Sequence, residues 1–496
     1  MAHRMLRAAC GFALALLACD RSAPPPAVAS AEPLPTTIPP VEAPPDRSGL
    51  PPAGPAPSWA PPTPAAWQLP SGVRVIHRTH GNVPLVSVLL VVPRGAETDP
   101  RERSGLTWLM GDLLDEGAGK LNALQLNERL QMLATDIGVS ASTDFVMVGM
   151  NTIAENFAES IDLLADIVRR PKFDEHEFQR RKAQLIAQAL AAEADPHTGR
   201  RVATYQGLFG DGYAGLVPSG TRDSLAPITL ADVKAHYARV MVGEGATFVV
   251  AGGISQEMVS EHLTRAFGDW GGKAKVEARK LVPEAGAGKL YFVDYPGAAQ
   301  SVIGVVARAP GADAEDLFPA TVFNRSFGES FTSRVNLNLR EDKGYTYGAG
   351  SGFQRFRKAG LFNVASDVRT DVTRQSLDEV LRELSDMCGA RPLAADEREA
   401  SVNGLLLGYP ASFERIGLVA QRFAQLPIYD RPLDWYERWP ERVAAVTLEQ
   451  ANQAARPYCD RSKLTLVVAG DKAKVKPTLD GIGFDWVELD ARGRRR

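Results

Sequence analysis

The chain of 496 residues has no long run of basic residues and only four cysteines. Its 56 lysines and arginines are balanced by 59 acidic residues, which leaves a net charge of −3. No long basic run precedes the closing segment 492–496, which holds four arginines. Because a nucleic-acid-binding protein needs a basic patch that neutralises phosphates, we expect no nucleic-acid partner.

Two of the cysteines, Cys388 and Cys459, lie in the second half of the chain. Outside the reducing cytosol, two such thiols either form a disulfide or stay buried and inert. The sequence favours neither alternative, and we assign no function to either residue.

The apolar run near the N-terminus, Ala8–Ala18, is too short to remain as a membrane-spanning helix. It follows Arg4 and Arg7, a pattern typical of an export signal. The four residues at 16–19 resemble a bacterial lipoprotein cleavage box, so we predict a lipoprotein signal peptide over residues 1–19 and lipidation of Cys19. The alternative is an ordinary signal peptide with a chance cysteine. We therefore expect a periplasm-facing lipoprotein of the cell envelope, on either the inner or the outer membrane.

Residues 20–65 are rich in proline, alanine and serine and poor in large apolar side chains. Such a segment cannot bury a core and favours extended, solvated conformations. We predict a tether that holds the folded part away from the lipid.

The rest of the chain is too long for one ordinary core and carries an internal repeat. Three segments recur at nearly one spacing, 216 or 218 residues later. The pairs are Val88–Ala96 with Gly304–Ala312, Ile228–Leu230 with Val446–Leu448, and Val249–Gly252 with Val467–Gly470. This periodicity indicates duplicated domains, predicted at residues 66–275 and 285–490. Strand-like and helix-like patterns are interspersed, which favours an α+β fold with mainly antiparallel sheets and helices on one face.

One predicted helix, from Leu106 to about Glu116, has two distinct faces. Leucines and Met110 form the core stripe, so Trp108, Gly111 and Asp112 project from another side. Zinc needs about three nitrogen or oxygen ligands and an open position for water. Tryptophan cannot bind zinc and glycine has no side chain, so Asp112 is expected to be a solvated surface acid. No histidines elsewhere form the i, i+4 pair with an adjacent glutamate, and we predict neither a metal nor a cofactor in this chain.

The repeat, the order of elements, Gly105 before this helix, Gly117 after it and the later pair Gly220-Thr221 resemble the insulinase and pitrilysin family of metallopeptidases. The similarity is to the smaller processing-peptidase branch and covers residues 66 to 490. It implies two homologous domains that form a clamshell chamber.

The resemblance also implies what has been lost. The two zinc-binding histidines of the family fall at Trp108 and Asp112, and the glutamate that acts as general base falls at Gly111. The third zinc ligand falls near Gln188, with Glu193 close by as the alternative.

The segment Ser333–Tyr347 is similar to the family's most recognisable C-terminal stretch. Phe331, Val335 and Leu339 recur at helical spacing, which puts Arg340 in the last turn of a helix that Gly344 ends. Tyr347 then opens a strand. In the family this Arg/Tyr pair binds substrate and stabilises the oxyanion; the alternative is an arginine that favours a helix dipole and a tyrosine that packs.

The resemblance therefore predicts a zinc-free subunit of a two-chain metallopeptidase, inactive alone. It would supply Arg340 and Tyr347 as catalytic residues to a zinc-bearing homologous partner, and unfolded peptides would bind as an added strand. The alternative is an inactive peptide-binding or scaffold protein of the cell envelope.

Overall fold

Two six-stranded β-sheets form the framework of the protein in the computed structural model, which describes residues 59–496. The predicted signal peptide, Cys19 and most of the predicted tether lie outside the described residues. At the described end of the tether, the Trp59 ring lies 6.1 Å from that of Tyr409 and 5.7 Å from that of Phe413. Within residues 59–496, no helix has both the length and the hydrophobicity to cross a bilayer.

The first half of the fold comprises residues 65–267. Its strands are β1 (Ala65–Gln68), β2 (Arg74–Thr79), β3 (Leu85–Val92), β4 (Gly117–Ala118), β5 (Leu121–Asn122), β6 (Asp136–Ala141), β7 (Val146–Ile153) and β8 (Thr247–Gly252). Its helices are α1 (Leu106–Asp112), α2 (Ala123–Met132), α3 (Phe157–Arg169), α4 (Glu175–Glu193), α5 (Pro196–Phe209), α6 (Arg222–Leu225), α7 (Leu230–Val240) and α8 (Gln256–Phe267).

The second half comprises residues 289–489. Its strands are β9 (Lys289–Asp294), β10 (Gln300–Ala309), β11 (Thr346–Arg355), β12 (Gly360–Arg369), β13 (Thr465–Gly470) and β14 (Asp485–Leu489). Its helices are α9 (Leu317–Asn324), α10 (Arg334–Asn336), α11 (Thr373–Met387), α12 (Ala395–Gly408), α13 (Ile416–Ile428), α14 (Trp439–Ala444), α15 (Leu448–Cys459) and α16 (Lys472–Val475).

The two large sheets have one strand order in common. The first runs β1-β2-β8-β3-β7-β6 and the second, read from its far edge, runs β14-β9-β13-β10-β12-β11. Five strands therefore correspond one to one, as the sequence repeat requires. Pairing is antiparallel except for β2 with β8 and for β9 with β13 and β14. The predicted α+β class with two homologous, mainly antiparallel domains is confirmed, while the residue limits of those domains remain predictions.

The central strands are buried on both faces. In β3, seven of the eight residues are buried, a pattern typical of a strand covered on both sides. Apart from one long helix in each half, the helices that pack on a large sheet cover one face of the sheet of their own half, as predicted. The core of the first half packs Leu109 of α1, Leu164 of α3 and Val233 of α7 against β3, β7 and β8.

The second face of each sheet is covered by a helix from the other half. Helix α13 of the second half contacts β3 and β8, and its Val419 and Phe423 pack in one cluster with Leu89 and Val249. We call α5 and α13 the exchanged helices. They occupy corresponding places in the repeat, since Pro196 and Ile416 stand 220 residues apart.

Helix α5 of the first half makes the reciprocal contact with β9, β10 and β13. Its Phe209 packs in one cluster with Tyr291 and Val467 of the second sheet. Two glycines allow the close approach: a Cβ at Gly199 would lie 2.4 Å from the Tyr295 hydroxyl oxygen, and one at Gly207 would lie 2.8 Å from the Tyr291 ring. The exchange joins the two halves through shared cores.

Cys388 and Cys459 are joined as a disulfide, with their Cα atoms 6.1 Å apart. The bond ties the residue after α11 to the last residue of α15. Of the two alternatives for these cysteines, the structure has the disulfide.

We expect the exchanged helices to control the stability of the half they cover. Replacement of Phe423, which is 1% exposed, by alanine should lower the free energy of unfolding by about 3–5 kcal/mol, because the removed ring leaves a cavity against the first sheet. Amide hydrogen exchange should rise in β3 and β8 as well as in α13. Leu407→Ala on α12, at a side chain that is 53% exposed, is the control and should change stability by about 0.5 kcal/mol or less. A loss of similar size in both variants would contradict the packing role of α13.

Candidate functional site

The start of α1 is anchored by buried hydrogen bonds. The Asp99 carboxylate accepts from the backbone N–H groups of Gly105 and Thr107, both at 2.9 Å. It also accepts from the Thr107 hydroxyl at 2.5 Å, and that hydroxyl lies 2.8 Å from Nε2 of His236 on α7. These bonds fix the helix on which the sequence resemblance puts the lost metal motif.

This acid, hydroxyl and histidine have the composition of a hydrolytic triad, but they have no access to substrate. Asp99 is 2% exposed, and Thr107 and His236 are fully buried. Burial raises the pKa of Asp99 to about 6 and lowers the pKa of His236 to about 4, as desolvation disfavours each charged form. Their role is to position α1. Nothing in the local sequence indicated this contact, because His236 is 129 residues from Thr107.

Helix α1 has seven residues and ends at Asp112, so it is shorter than the three turns predicted. Trp108 is partly buried and lines a cavity between the two halves. Gly111 is buried beneath the edge strand β6, and a Cβ there would lie 3.2 Å from Cγ1 of Val139. A glutamate at this position would therefore have to displace Val139.

Asp112 is not the solvated surface acid that the sequence predicted. Its side chain is 21% exposed and forms an ion pair with Arg181 of α4. Arg181 also lies 3.4 Å from Glu116. The prediction was wrong because Arg181 is 69 residues away in sequence and only the packing of α4 against α1 brings them together. Nearby Asp115 has its pKa raised to about 6, chiefly by burial.

The cavity beside Trp108, which we call the Trp108 cavity, has a volume of about 480 Å³. Gln188 and Glu193 of α4 line it from the first half, and Gln354 and Phe356 line it from the second. Both candidates for the third ligand position therefore lie beside Trp108. Within residues 59–496, no three histidine, cysteine or acidic side chains are grouped closely enough to hold a metal ion.

Arg340 lies in a π-helical turn, Leu337–Asp342, that continues α10. π-helical turns are rare in proteins, and those that occur are frequently found at functional sites. The Arg340 guanidinium lies over the Phe331 ring, 4.6 Å from its centroid, and its Nε is 3.2 Å from the Glu341 carboxylate. The turn ends at Asp342, and two residues later Gly344 has a φ of +63°, the left-handed conformation predicted for the glycine that ends this helix.

Tyr347 lies at a bulge near the start of β11, where the pairing with β12 shifts between Thr346 and Ala349. Its side chain is 93% exposed. Bulges re-aim side chains and are common beside active sites. Strand β11 is also the edge of the second sheet.

Asn336 holds the two segments that carry Arg340 and Tyr347. Its amide donates to the Phe331 carbonyl at 2.7 Å, and its Oδ1 accepts from Ala349 N–H, just beyond the bulge, at 3.1 Å. The Tyr345 N–H donates to the Leu339 carbonyl at 2.9 Å. The turn and the strand are thereby fixed side by side, with both side chains accessible to solvent.

The Arg/Tyr pair and the Trp108 cavity are well separated. Tyr347 and Gln354, which lines the cavity, stand seven residues apart on β11. At about 3.3 Å per residue, the strand spans roughly 23 Å between them. The pair therefore lies at the opposite end of β11 from the residue that lines the cavity.

Comparison with known proteins identifies the family. Residues 74–207 match the sequence model described as insulinase (peptidase family M16), and residues 227–405 match the one described as peptidase M16 inactive domain. The non-peptidase homolog YmxG of Helicobacter pylori is 21% identical to this chain. The alignment covers 82% of this chain and 93% of YmxG.

Two solved structures have the same fold. The peptidase M16 inactive domain from Pseudomonas fluorescens superposes with a TM-score of 0.77 at 19% sequence identity. The match covers 82% of this chain and 98% of the Pseudomonas chain. The periplasmic protease PqqL from Escherichia coli superposes with a TM-score of 0.71 at 13% identity. That match covers 86% of this chain and 50% of PqqL.

The chain belongs to the insulinase family, peptidase family M16. Within it, residues 227–405 match the model described as the inactive domain, and one relative is named a non-peptidase homolog. The resemblance stated from the residues of the sequence is confirmed.

We expect the purified chain to retain only substoichiometric zinc after exposure to Zn²⁺ and dialysis, because the ligand positions hold Trp108, Gly111, Asp112 and Gln188. Metal analysis by mass spectrometry checks this, and one tightly held zinc per chain would contradict it.

Engineered ligands test which residue takes the third position. The variant Trp108→His/Asp112→His/Gln188→Glu should bind about one zinc per chain, since it restores three ligands. The double variant that keeps Gln188 should not. Zinc binding by the double variant would instead assign the third position to Glu193.

Proposed function

We propose that the protein is the zinc-free subunit of a two-chain metallopeptidase. It supplies Arg340 and Tyr347 to peptides held at the zinc of a homologous partner subunit, and it is inactive alone. The observation that carries this proposal is the solvent exposure of both side chains on hydrogen-bonded segments, in a chain whose α1 helix holds Trp108 and Gly111 at family metal-site positions.

The first support is that neither side chain of the pair is buried in a core. Tyr347 is 93% exposed, and it makes no side-chain hydrogen bond to the described residues. The Arg340 side chain is 38% exposed and has the adjacent Glu341 as its ion-pair partner. A guanidinium and a phenol held this way can donate hydrogen bonds to a substrate carbonyl and to the oxyanion that develops from it.

The second support is the separation of the pair from the chain's own α1 helix. Tyr347 stands about 23 Å along β11 from Gln354, which lines the Trp108 cavity, so the pair lies at the other end of that strand from the cavity. It can act beside the corresponding helix of a second molecule. The chain also spans half of PqqL, which leaves room in that protease for a second unit of similar size.

Unfolded peptides are the proposed substrates, because both large sheets present an edge strand. Strand β11 is an edge of the second sheet and β6 is an edge of the first. An edge strand can pair with an extended peptide through the N–H and C=O groups that no neighbouring strand uses; on β11, the Ala349 N–H and the Ser351 C=O are already bound by Asn336 and Asn324. Tyr347 stands on β11 itself, at the bulge.

We further propose that the protein is anchored through Cys19 and faces the periplasm. This rests on the residues of the export signal and on the periplasmic location stated for PqqL.

In the assembled enzyme, Tyr347→Phe and Arg340→Ala should each lower kcat by about 10²–10³-fold, the usual effect of removing one oxyanion donor. Steady-state kinetics with the zinc-bearing partner measures this. Arg456→Ala is the matched control, since Arg456 is an exposed arginine on α15, and it should leave kcat unchanged.

Unchanged kinetics in both variants would mean that Arg340 and Tyr347 have only a structural role. The alternative function, an inactive peptide-binding or scaffold protein of the envelope, would then be preferred.

A further inference from the structure

The Trp108 cavity is bounded by apolar side chains from both halves of the fold. Trp108, Leu185, Val202 and Tyr205 come from the first half, and Phe356 comes from the second. Its volume of about 480 Å³ lies in the range of sites that enclose small organic groups. An aromatic or large aliphatic side chain would bury its surface here against other rings.

The charged groups that line the cavity are two arginines, Arg201 and Arg492, and one carboxylate, Glu193. Arg201 of α5 lines it and makes no ion pair or side-chain hydrogen bond with the described residues. The second cation, Arg492, is already paired: its Nη1 lies 2.6 Å from Asp223, and its Nε lies 3.7 Å from Glu193 and 3.8 Å from Asp490. Arg201 is therefore the cation left for a ligand, and a carboxylate is the group it binds best.

A sheet edge leads into the same cavity. Strand β6 is the edge of the first sheet, and its last residue, Ala141, lines the cavity together with Ser142 and Thr143. Residues of β6 alternate between exposed and half-buried, as expected for a strand with one side open. A peptide added along this edge would reach the cavity with its end.

We propose that the Trp108 cavity binds the carboxyl-terminal residue of an extended peptide, with an aromatic or large aliphatic side chain inside and the terminal carboxylate on Arg201. The site has replaced the metal centre of the related peptidases with a recess that recognises a chain end. It goes beyond the function proposed above, because it needs neither the partner subunit nor Arg340 and Tyr347.

The test is calorimetric titration of the isolated chain with three peptides of one sequence. The first ends in phenylalanine with a free carboxylate, the second is its C-terminal amide, and the third ends in alanine with a free carboxylate. We expect the first to bind most tightly. Amidation should weaken binding by about fivefold to tenfold, and the alanine peptide should bind at least about tenfold more weakly because a buried ring is lost.

Two variants assign the effect to the cavity. Arg201→Gln should bring the affinity for the acid down to that for the amide and leave the affinity for the amide unchanged. Arg456→Gln, which removes one positive charge from α15, should alter neither. Ala192→Trp, which fills the cavity from α4, should abolish binding while the circular dichroism spectrum stays that of the parent protein.

Equal affinity for the three peptides, or no binding of the phenylalanine peptide, would overturn the proposal. So would an Arg201→Gln variant that still prefers the acid. Because no turnover and no partner is involved, these outcomes are independent of the kinetic test of Arg340 and Tyr347.

Discussion

The exchange of α5 and α13 between the two halves is the constraint on which the rest of the structure depends. Each large sheet has strands that are buried on both faces, and the helices of one half suffice for only one face. The second face is apolar and requires a cover. Since each half takes that cover from the other, the halves form a single compact unit over the described residues 59–496.

The exchange also builds the cavity. Helix α4 carries Gln188 past α1, and only two residues separate it from α5, which turns away to pack on the second sheet. The Tyr205 hydroxyl of α5 donates a hydrogen bond to Oε1 of Gln354 on β11 at 2.8 Å. This bond joins the two halves at the cavity that both residues line. The surface that carries the zinc ligands in the related peptidases thus lies at the junction, where residues from both halves can meet a ligand.

The elements that depend on local pattern could be predicted from the sequence. The repeat, the strand Leu85–Val92, the amphipathic helix beginning at Phe157 and the turn at Gly344 each follow from spacing within a few residues. The loss of the metal motif could also be seen in the sequence. Its five positions are consecutive, so the substitutions at Trp108, Gly111 and Asp112 all lie in one short segment. Arg340 and Tyr347 could be singled out by their resemblance to the family, and their function stays a prediction.

The features that sequence reasoning missed all join distant segments. The ion pair of Asp112 with Arg181, the anchoring of Thr107 by His236 and the cover that α13 provides for the first sheet depend on the packing of whole elements. Helix α5 was not predicted, although its Asp195-Pro196 start is a recognisable N-terminus. The buried face of α5 packs against the second sheet, which is formed by residues far away in sequence.

The central claim is that this chain works beside a zinc-bearing homologue. Its most direct test is affinity purification of the tagged full-length protein from the cells that make it, under mild detergent, with mass spectrometry of the proteins that accompany it. The account predicts a stoichiometric insulinase-family chain with an intact His-x-x-Glu-His motif, and peptidase activity in that sample which a zinc chelator removes. Recovery of the chain without any such homologue would contradict it.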